Sequence, residues 1–111
     1  MVVGLGALAL TAGCSAGSAA RASSAPAVQT DHVGMPPSYR FEPDNIEVAR
    51  GTTVTWTNSD NFTHSVQVSG QADVHVAKPG ESVQIQFDQP GTYTYVCTFH
   101  TQNMRGTVVV R

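Results

Sequence analysis

The chain has 111 residues, 41% hydrophobic and only 13% charged, with six basic residues against eight acidic ones and a formal net charge of -2. That length suffices for one compact domain with a short appendage and is too little for two domains. The basic residues are scattered and form no stripe of the kind that phosphate-backbone binding requires, which argues against nucleic acid as a partner.

Residues 2–10 are apolar apart from glycines and lead into Thr11-Ala-Gly-Cys14. The run is far short of the roughly 20 residues a membrane-spanning helix needs, but it matches the apolar core of a secretory signal. The small residues before Cys14 resemble the cleavage and lipid-attachment box of bacterial lipoproteins, in which the cysteine is acylated and becomes the new N-terminus. This predicts a signal segment at 1–13, a lipid anchor at Cys14, and an extracytoplasmic domain held at the periplasmic or cell-surface side of a membrane. Residues 15–30 are rich in Ala, Ser and Gly with Pro26 and a single charge. Such a composition buries too little apolar surface to offset its ordering entropy, so it reads as a flexible tether.

From residue 31 onward the composition changes. All three leucines lie in the first ten residues and the only lysine is Lys78, while Val and Thr become dominant. β-Branched side chains are stiff and pack well on a pleated surface, which favours strands. Apolar residues alternate at Ile46 and Val48, at Val54 and Trp56, at Val66 and Val68, and at Val83, Ile85 and Phe87. Turn signals separate them at Arg50-Gly51, Asn58-Ser-Asp-Asn61, Ser69-Gly70, Lys78-Pro-Gly80 and Gln89-Pro-Gly91. Tyr93, Tyr95 and Cys97 share one face of the next strand, Val96 faces the other way, and Val108 to Val110 form the last strand. The expectation is an all-β, two-sheet Greek-key sandwich of seven to eight strands over residues 31–111.

The stretch that carries chemistry runs Tyr93-Thr-Tyr-Val-Cys97-Thr-Phe-His100-Thr-Gln-Asn-Met104-Arg-Gly106, with His64 upstream at the edge of a polar loop. One thiolate, one thioether and two imidazoles form a mixed soft and borderline donor set. His₂Cys with a weak axial Met is the preference of a mononuclear blue-copper centre, whereas zinc more typically takes a closed Cys/His tetrahedron. A cysteine ending a strand is usually a small buried hydrophobe, but a free thiol outside the cytoplasm is a liability that coordination removes. A Cys14–Cys97 bridge is the remaining option for these two cysteines, and each has a better explanation than the other as partner.

Residues 39–111 resemble the cupredoxins, specifically the plastocyanin and amicyanin branch. The resemblance is carried by Phe41-Glu-Pro43, by Arg50-Gly-Thr-Thr-Val-Thr-Trp56-Thr-Asn58, by Pro90-Gly-Thr-Tyr-Thr-Tyr-Val-Cys97-Thr98, and by Met104-Arg-Gly106-Thr-Val-Val-Val110. It implies one type 1 copper ion held by His64 Nδ1, Cys97 sulfur, His100 Nδ1 and an axial Met104. It also implies a one-electron carrier cycling Cu(I) and Cu(II), with donor and acceptor proteins docking on an apolar surface near His100. Two departures stand out. Ser65 follows His64 where the family usually has Asn, a shorter side chain that, with Thr98, lies next to the ligand loop and is expected to pin it less firmly. The loop runs Cys-x2-His-x3-Met, one residue longer than in amicyanin and one shorter than in plastocyanin.

Other residues carry weaker expectations. His32 and Met35 could form an extra labile copper site near the tether, which would favour a copper storage or delivery protein over an electron carrier. Met35-Pro-Pro37 could equally be an apolar lip around the copper loop. His75 is expected to face solvent, and Trp56, Phe41, Phe87 and the tyrosines to be core and turn residues. Four histidines without a His-x-His pair are too few for the trinuclear cluster of a multicopper oxidase, and no nucleophile and base set is visible. The chain therefore reads as a monomeric carrier and not as an enzyme.

Overall fold

The computed structural model describes residues 26–111, and the expected signal segment, Cys14 and most of the expected tether lie outside them. Nine strands follow in order: β1 Val28–Gln29, β2 His32–Met35, β3 Asn45–Val48, β4 Thr52–Asn58, β5 His64–Val68, β6 His75–Ala77, β7 Ser82–Phe87, β8 Gly91–Val96 and β9 Arg105–Val110. They form one sheet in the order β1-β3-β9-β8-β5-β6 and a second in the order β2-β4-β7. Successive strands repeatedly change sheet, which gives the crossed connections of a Greek-key-like sandwich.

The alternation visible in the sequence becomes the two faces of each strand. Val54 and Trp56 of β4, Ile85 and Phe87 of β7, and Val108 and Val110 of β9 are buried, and their neighbours on each strand are more exposed. Tyr95 sits at the centre of this core, edge-on to Trp56 at 5.2 Å and to Phe41 at 4.8 Å between ring centroids. Its hydroxyl donates to the Asp44 carbonyl at 2.9 Å, so its one polar atom is satisfied. The indole Nε1 of Trp56 is buried beside Tyr95 and makes no hydrogen bond of good geometry among the described residues.

Two features differ from the sequence expectation. The sheets are mixed, because β1 pairs with β3, β3 with β9 and β2 with β4 in parallel. Alternation reports which face a side chain takes and says nothing of the direction of the neighbouring strand. The strand count also exceeds seven to eight, because β1 and β2 stand where the tether and lip were expected. Strand β1 is exposed and held by backbone pairing to β3, while β2 pairs with β4 and sends Val33 and Met35 into the core.

The connection that matters for function is the β8–β9 hairpin. The ladder runs from Gly91↔Val110 to Val96↔Arg105, and Cys97 N–H continues it by donating to the Met104 carbonyl at 3.0 Å. Cys97 and Met104 therefore face each other across the hairpin, whatever number of residues the loop between them holds. Strand β5 runs antiparallel to β8 through Gln67↔Val96 and Val68↔Tyr95, so its start lies beside the hairpin's end.

Candidate metal centre

His64, the first residue of β5, and Cys97, just past β8, are both fully buried, and His64 Nδ1 lies 3.8 Å from Cys97 Sγ. Imidazole and thiolate bound to a first-row ion at about 2.0–2.1 Å and about 2.3 Å stand about 3.8 Å apart when they subtend roughly 120° at the metal. The pair is thus spaced for a shared ion. Ser65 places two donors on the sulfur, its backbone N–H at 3.4 Å and its hydroxyl at 3.8 Å.

Ser65 also reaches the ligand loop. Its hydroxyl oxygen accepts the Thr98 N–H at 2.8 Å and lies 2.7 Å from the Thr98 hydroxyl. The shorter side chain was expected to pin the loop weakly, but the Thr98 hydroxyl meets it halfway and closes the gap. The loop is wound into turns by His100 N–H to Cys97 O at 3.1 Å and Met104 N–H to His100 O at 2.9 Å. Arg105 Nε donates to Thr101 O at 2.7 Å and ties down the same loop from the β9 side. Met104 is fully buried.

His100 is only partly buried. Its ring packs against Tyr39 at 4.3 Å and stands 5.7 Å from the His64 ring, measured between centroids. Tyr39 also stacks on Phe62 at 5.8 Å. The chain reaches this position through Ser38 and Tyr39, whose φ angles of 90° and 54° lie in the left-handed region that costs a non-glycine residue on the order of 1–2 kcal/mol. That cost is compensated by aromatic contacts at the mouth of the site. Among the described residues no three His, Cys, Asp or Glu side chains already converge as a metal-holding group. His64 and Cys97 are in place, whereas the His100 ring is engaged by Tyr39.

The segment before β5 supplies two buried residues, Asn58 and Asp60, that sequence reasoning passed over as a plain turn. Asp60 Oδ2 accepts from His64 Nε2 at 2.8 Å, and Asp60 Oδ1 accepts the Asn61 N–H at 2.7 Å. The hydrogen bond from His64 holds the Asp60 carboxyl below its ordinary value against the opposing effect of burial, and the Asn61 amide and the nearby imidazoles add to it. Asn58 organises the loop from within: its Oδ1 accepts the Asp60 N–H at 2.8 Å, and its amide donates to Phe62 O at 2.7 Å and Ala77 O at 2.9 Å. The available signal was an Asn/Asp cluster ending four residues before a histidine. Tyr39 carried no such signal.

The other sequence candidates are not brought together. His32 is exposed and paired with Asp31 at 2.7 Å, while Met35, three residues along the same strand, is fully buried. An odd offset on β2 sends the two side chains to opposite faces. His75 is half-buried on β6. Among the described residues Cys97 has no disulfide partner, and Cys14 lies outside them.

A model of the cupredoxin-like domain matches residues 4–110. The chain belongs to the cupredoxin family. This cupredoxin is 32% identical to amicyanin-alpha of Methylorubrum extorquens over 96% of its own length and 92% of the relative's. It is 34% identical to the plastocyanin of Scenedesmus fuscus over 64% of its length and 86% of that protein. Among solved structures, a Cu(I) form of an amicyanin variant superposes with a TM-score of 0.67 at 29% identity, covering 78% of this chain and 86% of that one.

Proposed function

We propose that this cupredoxin is a one-electron carrier whose copper ion is held by His64 Nδ1, Cys97 Sγ, His100 Nδ1 and, at longer range, Met104 Sδ. The observation that carries the reading is the His64 Nδ1 to Cys97 Sγ spacing of 3.8 Å, with both donors buried and the sulfur receiving two donors from Ser65. The donor chemistry fits copper, since thiolate and thioether are soft and imidazole is borderline. A bound copper ion would supply a one-electron Cu(II)/Cu(I) couple. The protein's part is to hold donors on a rigid frame: β5 and the β8–β9 hairpin fix His64, Cys97 and Met104 by backbone pairing, so little has to move when charge changes. His100, partly buried on the ligand loop with its ring 5.7 Å from that of His64, would complete the set.

Electron exchange is assigned to the His100 end of the sandwich. Phe62 and Phe99 are 55% and 53% exposed there, and Tyr39 joins Phe62 to His100 by ring contacts. Exposed aromatic rings around a redox histidine suit docking of donor and acceptor proteins. Secretion with lipidation of Cys14 would put this surface outside the cytoplasm beside a membrane, and the Thr11-Ala-Gly-Cys14 motif supports that reading. The extra site that would have favoured copper delivery has its two side chains, His32 and Met35, on opposite faces of β2.

The test is the visible spectrum of the purified protein with Cu(II). An intense blue band that is lost in Cys97→Ser and shifted in Met104→Ala is the expected result. Copper or zinc binding without such a band refutes the carrier reading.

A further inference from the structure

One buried charge lies next to the centre with no role in holding the metal itself. The Asp60 carboxylate is 5% exposed, and a lone carboxylate in such a place is costly unless it is paired and hydrogen-bonded. Here the loop is built around it. One oxygen takes the Asn61 N–H, the other takes the His64 ring, and Asn58 fixes the Asp60 backbone while anchoring itself to Phe62 and Ala77. An alkyl or hydroxyl side chain would complete a turn without placing a charge here.

We propose that Asp60 is the positioning residue of the centre, fixing the tautomer of His64 and holding the reduction potential down. The inference rests on His64 being a copper ligand. An ionised carboxylate can only accept, so the His64 nitrogen 2.8 Å away must carry the proton. A neutral imidazole protonated at Nε2 has its lone pair at Nδ1, the atom that lies toward Cys97 Sγ. The carboxylate thus selects the one tautomer that can bind a metal and orients the ring, and it raises the basicity of the ligating nitrogen. Its negative charge also stabilises the site more in the Cu(II) state than in the Cu(I) state, which lowers the potential.

Asp60→Asn separates this role from loop stapling. An asparagine still offers an oxygen to the Asn61 N–H, but the amide nitrogen then faces His64 Nε2 and donates to it, favouring the tautomer that protonates Nδ1. The first readout needs no metal: imidazole ¹⁵N shifts of the copper-free protein. The expected result is Nε2–H with bare Nδ1 in the unaltered chain and a shift toward Nδ1–H in Asp60→Asn. The second is spectroelectrochemical titration, with the midpoint potential of Asp60→Asn raised and its Cu(II) dissociation constant increased by a larger factor than its Cu(I) constant. A Nδ1–H tautomer in the unaltered chain overturns the proposal without reference to the variant, so a poorly folding variant does not protect it. Equal potentials in the two proteins overturn it as well. Absence of a copper band in the unaltered chain removes the carrier reading and this inference together, and is distinguishable because the tautomer is measured independently.

Discussion

Gly106 is a position where the sandwich leaves no room for a side chain. It stands on β9 opposite Tyr95, and a Cβ built there runs into the Asp44 carbonyl oxygen and the ring and hydroxyl of Tyr95. Neither neighbour can yield cheaply. The Asp44 carbonyl is backbone and accepts both the Thr107 N–H and the Tyr95 hydroxyl at 2.9 Å, and the Tyr95 ring is in edge contact with Phe41 and Trp56. In Gly106→Ala either β9 moves away from residue 44 or Tyr95 leaves its place. Overpacking costs about 1–3 kcal/mol, and each hydrogen bond lost costs about 1 kcal/mol more. The alanine returns at most about 1 kcal/mol through a less flexible unfolded chain. The net expectation is a loss of about 2–4 kcal/mol, which in a domain of this size lowers the melting temperature by roughly 10–30 °C. Urea unfolding of the metal-free protein, followed by far-ultraviolet circular dichroism, measures it. Gly51→Ala is the comparison, because Gly51 has φ of 86° but open space around its Cβ position, so only the backbone strain of about 1–2 kcal/mol applies. If Gly106→Ala is no more harmful than Gly51→Ala, the close-approach argument is wrong.

Further outcomes follow from the same geometry. Ser65→Ala removes the acceptor for the Thr98 N–H and both hydroxyl contacts, and is expected to destabilise the metal-free fold by about 1–2 kcal/mol in urea titration. Asn58→Ala deletes three hydrogen bonds of a buried side chain and should cost about 2–4 kcal/mol, with His64 resonances broadened in NMR spectra as its loop loosens. Copper should raise the melting temperature with the logarithm of free copper above Kd, with about 4 kcal/mol gained at a concentration a thousandfold above Kd, and calorimetry of Cys97→Ser should show most of that gain gone. Tyr39→Ala and Phe62→Ala should slow electron exchange with a partner in stopped-flow assays. They should leave the Cys97-dependent absorption band in place, and the rates should depend only weakly on salt because the patch is aromatic.

The sequence by itself determined the class of fold and singled out the residues proposed as donors. Period-two alternation fixes which side chains point inward, since successive residues of a strand take opposite faces regardless of the partner strand. Cys97, His100 and Met104 on one loop, with His64 upstream, were legible because that combination of soft and borderline donors is rare and its order is visible along the chain. Tertiary structure alone decided which of these residues adjoin. The β8–β9 register sets Met104 across from Cys97, and the β5–β8 pairing brings His64 and Ser65, more than thirty positions away, to the sulfur, which no local pattern encodes. The same holds for the parallel pairing of β2 with β4, which buries Met35 and turns His32 outward. Asp60 and Tyr39 were missed for a related reason: a loop's conformation is set by side-chain to backbone hydrogen bonds and by ring contacts, and these exist only once the sandwich has closed.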